Sequence, residues 1–420
     1  MKKRFLAALT LAGLLAALLA GCARKDTPSV YWLNFKPEAD AALQELAKTY
    51  RDQTGVKVKV VTAASGQYEA TLTAEMDKSA PPTLFVAGSP GAVERWSGYC
   101  YDLAGTPVFD ELVSDDFVLY DKEGRACSMG YCFECYGIIV NKALLARAGY
   151  TLGDIHDFAT LKSVAEDIHA RRDELGFDAF TSSGLDDSSG WRFTGHLANM
   201  PLYFESRDEG GWRATPSRIK GTYLDQFRNI WDLYIQNSST DPRTLATPGH
   251  DAQGEFGREE AVFYQNGSWE YSDLVNTYAM DPQQLAMLPI YTGVEGEEDL
   301  GLCCGTENAW AVNAMASQQD IQATLDFLYW LVTSPEGTRT LADQFGQIPF
   351  RKATDNPNPF LRDAVNQLAA GKETVDWVFT YTPDVGRWRS GLASALNQYS
   401  SGGDWEQVKT AFVDGWNAAG

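Results

Sequence analysis

Residues 30–61, VYWLNFKPEADAALQELAKTYRDQTGVKVKVV, change hydrophobic period twice, and that double change decides the fold. The run at 30–35 reads as a short apolar strand. Pro37 follows at a position suited to a first helical turn, where its fixed φ helps and its missing N–H is not needed. Ala39, Leu43, Leu46 and Tyr50 then recur at helical spacing, Gly55 closes the helix, and residues 56–61 alternate as a second strand. Such a β-α-β unit favours a parallel strand pair with a right-handed crossover.

Outward from this unit, residues 68–76 predict a second helix, Pro81-Pro82 breaks the chain, and 83–87 predict a third strand. Strand, helix, strand, helix, strand is an open doubly wound α/β sheet. Farther on, 137–140 predict another strand, and 160–171 and 222–234 amphipathic helices. Ser317, with Asp320 three residues later, caps a helix whose buried stripe is Ile321, Leu325, Leu328 and Val332. Ser334-Pro335-Glu336 starts the next helix. Residues 181–216 and 237–257, rich in Gly, Ser, Asp and Pro, read as surface loops.

Ahead of the first strand lies MKKRFLAALTLAGLLAALLAGC, residues 1–22: three early cations, an apolar run too short for the ~20 residues a bilayer needs, and Leu19-Ala20-Gly21-Cys22. It resembles the bacterial lipobox. Residues 1–21 are thus expected to be a signal peptide, Cys22 to carry a thioether-linked lipid, and 22–29 to be a linker. The net charge of −21 becomes −24 once Lys2, Lys3 and Arg4 leave. So acidic a chain repels phosphate backbones and anionic head groups, which excludes nucleic acid and leaves the lipid as the membrane tether.

Six further cysteines, Cys100, Cys127, Cys132, Cys135, Cys303 and Cys304, allow up to three disulfides in fifteen connectivities. Cys132-Phe133-Glu134-Cys135 has the CxxC spacing of thiol oxidoreductases and zinc sites. A redox motif opens a helix, however, and residues 136–140 read as a strand, so an exported chain favours disulfides or buried thiols over a metal or a redox centre. His156, His169, His196 and His250 show no ligand spacing and are expected at the surface or in packing. No cofactor is implied.

Aromatic residues make up 12% of the chain, more than its core needs, and several adjoin polar residues in expected loops. Trp191 follows Ser189-Gly190, Trp269 follows Asn266-Gly267-Ser268, and Trp388 lies between Arg387 and Arg389. A rigid indole flanked by amides and carboxylates suits the apolar face and hydroxyls of a neutral ligand. Taken singly, each tryptophan of this kind is more often a packing residue than a ligand platform.

In order and motifs the chain resembles the extracellular solute-binding protein family 1, the carbohydrate-type, maltose-binding-protein-like receptors of ATP-driven importers. The pieces are the strand-helix-strand start, Pro82-Thr83-Leu84-Phe85-Val86, Glu134 with Tyr136-Gly137-Ile138-Ile139-Val140-Asn141-Lys142, and Ala148-Gly149-Tyr150. Glu260-Ala261-Val262-Phe263-Tyr264-Gln265-Asn266-Gly267-Ser268-Trp269, Phe327-Leu328-Tyr329-Trp330-Leu331 and Ser334-Pro335-Glu336-Gly337 complete them. Thr83 and Phe263 depart from the family's usual acidic residue and Met, and cysteine pairs at two crossings are rare in it.

The resemblance implies two doubly wound α/β lobes joined by three crossings, near residues 133–136, 303–307 and 346–350. The N-terminal lobe would comprise 30–133 and 306–346, and the C-terminal lobe 134–305 and 347–420. Trp269 and Trp388 would stack on sugar rings, with Trp191 as a third, and Glu134 would accept from hydroxyls. Asn34, Phe35, Gln67, Tyr68 and Ser89 stand at the carboxyl ends of strands, where such sheets bind ligands; Glu270 and Arg351 are further polar candidates. The implied protein is a monomeric, lipid-anchored, extracytoplasmic importer subunit that passes a sugar or oligosaccharide to a permease. Three alternatives stand beside it: a receptor for a non-sugar polar solute, an exported glycoside hydrolase, and a thiol oxidoreductase or metal chaperone. A hydrolase needs two converging carboxylates, and the adjacent pairs Asp186-Asp187 and Glu259-Glu260 diverge on a strand or helix.

Overall fold

A computed structural model describes residues 28–418 apart from 187, 188, 213 and 347. The expected signal peptide, the lipid site Cys22 and residues 22–27 of the linker lie outside the described residues. No helix among the described residues is long and apolar enough to cross a membrane.

Twelve strands are described: β1 (Ser29–Asn34), β2 (Lys57–Thr62), β3 (Leu84–Val86), β4 (Val118–Tyr120), β5 (Ala126–Gly130), β6 (Glu134–Asn141), β7 (Asp178–Phe180), β8 (Ala261–Gly267), β9 (Leu285–Leu288), β10 (Leu300–Gly305), β11 (Ala309–Val312) and β12 (Glu373–Asp376). They form two sheets. The first runs β2-β1-β3-β11-β5-β4, with β1 parallel to both β2 and β3, as the opening β-α-β unit requires. The returning strand β11 lies antiparallel between β3 and β5. The second runs β12-β10-β6-β8-β7, with β9 pairing the far end of β6.

The local signals act as physics predicts. Helix Asp40–Thr54 buries Leu43, Leu46 and Tyr50, and Gly55 ends it at φ +79°, where a side chain is strained. Ser317 Oγ accepts the Asp320 N–H, and helix Gln318–Thr333 buries Ile321, Leu325, Leu328 and Val332 against the first sheet. There Trp32 sits edge-on to Trp310 and Phe327 at ring-centre distances of 6.0 and 6.1 Å. The second core gathers Phe180, Trp231, Tyr234, Phe263, Phe412 and Trp416.

Three expectations fail here. The expected loop 181–216 contains a π-helical turn, Arg192–Leu197, and a helix, Ala198–Asp208, in which Phe193, Leu197, Met200, Leu202 and Phe204 are buried. A helix enclosed on all sides has no polar stripe, so it shows no amphipathic period. The expected loop 237–257 likewise ends in a short helix, Ala252–Gly257, capped by Asp251. The crossing expected at 346–350 lies later: Ile348 and Phe350 are in the first core, and Phe350 bridges Leu112. The chain reaches the second sheet only at Asn358, which donates to Ser268 O at 2.7 Å, and Phe360.

Candidate functional site

The site lies where the crossings bring the ends of β1, β6 and β8 together. Asn34 ends β1 and is fully buried: Nδ2 donates to Lys36 O at 2.6 Å and Thr62 Oγ1 at 3.1 Å, while Oδ1 accepts from Lys36 N at 3.1 Å. This turn delivers Lys36 to Glu134, the first residue of β6, with Nζ 2.5 Å from Oε1. Asn308 donates to the other carboxylate oxygen at 2.7 Å, and Glu38 lies 3.4 Å from the ammonium. Burial disfavours a charged lysine, but Glu134 and Glu38 outweigh it and raise its pKa, so the ammonium persists.

Lys36 Nζ also lies 5.1 Å from the centre of the Trp269 ring. Trp269 leaves β8 in a one-turn helix, Ser268–Glu270. A Cβ on Gly267 would stand 2.2 Å from the indole, so only glycine lets the ring fold back over the strand end. Trp191 lies 6.0 Å from Trp269 between ring centres, and the His196 ring is 5.0 Å from the first and 5.4 Å from the second. His196 stacks on Tyr136 at 3.9 Å, with Gln265 Nε2 3.2 Å from its Nδ1. Burial first, then Arg389, Arg192 and Lys36, hold this imidazole neutral at neutral pH.

Helix Val385–Ser400 supplies Arg389, whose Nη2 lies 3.9 Å from Glu307 Oε1 and whose guanidinium covers the Phe379 ring at 5.4 Å. Arg389 Nε and Gln265 Oε1 are buried without a hydrogen-bond partner among the described residues. Beside Glu134 and Trp269 opens a cavity of about 360 Å³, walled also by Tyr271, Asp343 and Asn356 from both sides of the third crossing. That volume is in the range of small-molecule sites.

Of the residues singled out from sequence, Glu134, Trp191 and Trp269 come together here. Glu270 adjoins them but faces inward, accepting from Gln253 at 2.8 Å and Tyr264 at 3.1 Å; burial pushes its pKa up to about 7. Asn34 builds the turn. Tyr68 is a buried strut whose hydroxyl accepts from Val86 N at 2.6 Å and donates to Leu33 O at 3.3 Å, and Phe35 packs edge-on against it at 5.2 Å. Ser89 caps helix Pro90–Trp96, and exposed Gln67 precedes helix Tyr68–Met76.

Trp388 and Arg351 are corrections. Trp388 is 2% exposed, packs edge-on to Phe412 and Trp416, and donates to Phe412 O at 2.8 Å, so it has no face left for a ligand. Arg351 is exposed beside the first sheet, its N–H donating to Glu111 O at 2.9 Å. Lys36, His196, Glu307 and Arg389 were missed. Lys36 and Arg389 each adjoin a residue that was singled out or near one, whereas His196 carries no signal until the buried π-helical turn is known.

All six described cysteines are buried and none is bridged in this structure, and no group of three or more metal-ligating side chains occurs among the described residues.

Residues 45–366 match the model of a family described as bacterial extracellular solute-binding protein. No curated protein sequence matches the chain. Among solved structures, RafE in complex with raffinose is similar at a TM-score of 0.74 and 16% identity, covering 94% of this chain and 100% of that one. The GacH receptor of Streptomyces glaucescens is similar at 0.68 and 17% identity, over 94% and 98%. A sugar transporter protein from Bacillus licheniformis in complex with stachyose gives 0.68 and 16%, over 94% and 100%. At these identities the likeness is one of fold.

Proposed function

Because the chain belongs to the bacterial extracellular solute-binding proteins, we propose that it captures a sugar or oligosaccharide between its two α/β lobes and delivers it to the permease of an ABC importer. The observation that carries this reading is the pair of half-buried indoles, Trp191 and Trp269, set beside the Lys36–Glu134 and Arg389–Glu307 pairs at the crossings. Indole faces take the apolar side of a sugar ring, and the charged groups exchange hydrogen bonds with its hydroxyls. Raffinose and stachyose in the neighbouring structures support the same chemistry.

The three crossings serve as the hinge. Ligand shifts the lobes toward closure only by the free energy with which it binds the closed form more tightly. One or two stacked rings and several hydroxyl bonds supply micromolar affinity, about 8 kcal/mol. No covalent chemistry is asked of the site, so the sugar leaves unchanged. Lipid on Cys22 keeps the receptor at the membrane, near its permease.

A thermal-shift screen of the chain from Lys25 onward against mono- and oligosaccharides tests this, with amino acids, polyamines and zinc as counter-ligands. Ligand at a hundred times its dissociation constant adds about 2.7 kcal/mol. A melting-point rise with one sugar class, lost in Trp269→Ala, supports the proposal. A flat response to all sugars, or recovery of hydrolysed sugar, overturns it.

A further inference from the structure

We infer that Cys135 pairs with Cys304 and Cys100 with Cys127 as disulfides, leaving Cys132 and Cys303 as thiols. Cys135 on β6 stands directly opposite Cys304 on β10 in the antiparallel register. Opposed residues in such a pair have Cα atoms about 4.5–5.5 Å apart and share a face. Bridged cysteines need about 4.4–6.8 Å, so the backbone already holds the required span. Both side chains enter the same apolar cluster with Leu302, Phe360 and Leu361.

The other hinge pairings fail on direction. Cys303 points to the opposite face of β10, with Sγ 3.7 Å from Met200 Sδ in the second core. Successive strand residues face opposite ways, so closing Cys303 on Cys304 would require turning one of them over. Cys132 belongs to the first core, with Sγ 3.8 Å from Thr306 Oγ1, while Cys135 lies beyond the crossing in another cluster. The CxxC spacing is therefore a coincidence of two residues on opposite sides of a crossing.

The second pair rests on separate contacts. The segments that carry Cys100 and Cys127 run together, with Leu103 N donating to Ala126 O at 3.0 Å, Ala126 N to Asp102 Oδ1 at 3.1 Å and Arg125 Nη2 to Ser97 O at 3.2 Å, and both cysteines enter the first core. Cys100 is nearly fully buried and Cys127 fully so, and burial raises both thiols. Burial also raises Cys304, to about 12, and Cys135. A buried thiol yields little thiolate, so the bonds form while the chain is still open and are slow to exchange afterwards.

Each bond forms by exchange with a small disulfide such as oxidised glutathione. Two protein thiols lose two protons and two electrons, and the small disulfide leaves as two thiols. Its structural effect at the hinge is local: Cys135 and Cys304 tie the roots of the first and second crossings, fixing the register of β6 on β10 without joining the two lobes.

The test is peptide mapping of the chain from Lys25 onward, which carries six cysteines, refolded with oxidised and reduced glutathione, then denatured and alkylated without reduction. The expected result is one linked peptide pair carrying Cys100 and Cys127, another carrying Cys135 and Cys304, and alkylated Cys132 and Cys303. Cys304→Ser should free Cys135 and raise the alkylated count by one, whereas Cys303→Ser should lower it by one. Linkage within Cys132 and Cys135, linkage within Cys303 and Cys304, or six alkylated cysteines would overturn the assignment. The outcome is independent of whether any sugar binds.

Discussion

Lys36 Nζ and Glu134 Oε1 stand 2.5 Å apart with both side chains buried, joining the turn after the first strand to the first residue past the first crossing. Removing either partner deprives the other buried charge of its nearest counter-charge, which costs up to about 3–5 kcal/mol. Lys36→Met and Glu134→Gln should each lower the urea midpoint markedly. The double variant Lys36→Met with Glu134→Gln should lose less than the sum, because it removes both members of the pair. An additive loss in that double-variant cycle would show that the two side chains act independently.

Trp269 and Trp388 should separate binding from stability. Trp269→Ala removes a half-buried ring from the site; the dissociation constant for the cognate sugar should rise at least about tenfold, roughly 1.4 kcal/mol, with little change in melting point. Trp388→Ala hollows the second core between Phe412 and Trp416 and should cost about 3–5 kcal/mol of stability. Calorimetric titration alongside thermal melts distinguishes the two patterns.

Glu270 carries a folded-state pKa of about 7 against an ordinary 4.5, raised by burial. The folded chain therefore holds this proton to higher pH than the unfolded chain does. Stability contributed by the group falls as pH rises from about 4.5 to about 7, by about 3 kcal/mol, and stays lower above that. Glu270→Gln mimics the protonated form, so its advantage over the parent should grow between pH 5 and pH 8 in parallel denaturant titrations. An advantage that stays constant across that range would refute the assignment.

Gly195 faces Arg389: a Cβ there would stand 3.0 Å from Nη2. The arginine tip can give way, so Gly195→Ala should leave the fold intact while displacing the guanidinium from Glu307. Sugar affinity should drop several-fold. If affinity is unchanged while Arg389→Ala abolishes it, the guanidinium tolerates displacement and its position is not set by Gly195.

The parts legible in the sequence were those governed by local period and local capping. The opening strand-helix-strand, the Ser317 cap and the stripe Ile321, Leu325, Leu328 and Val332 depend on neighbours a few residues away. The failures all depend on contacts distant in the chain. Whether Trp388 or Arg389 faces Glu307 turns on one 100° step of helix Val385–Ser400, fixed by packing on Phe412. The third crossing was placed too early because nothing local reveals that Phe350 pairs with Leu112. Helix Ala198–Asp208 lacked a polar face to betray it.

β11 gives the first lobe an unusual dependence on timing. Trp310 and Ala311 fill the slot between β3 and β5 only after the whole second sheet except β12 has been made. Until then β3 and β5 present bare edges, and Trp32 and Tyr131 lack their Trp310 neighbour. The amino-terminal half is thus unable to lock into its final shape while it is being synthesised. A chain that has to thread across a membrane before folding gains from that delay, because its earliest segments stay pliable until a late strand closes the sheet.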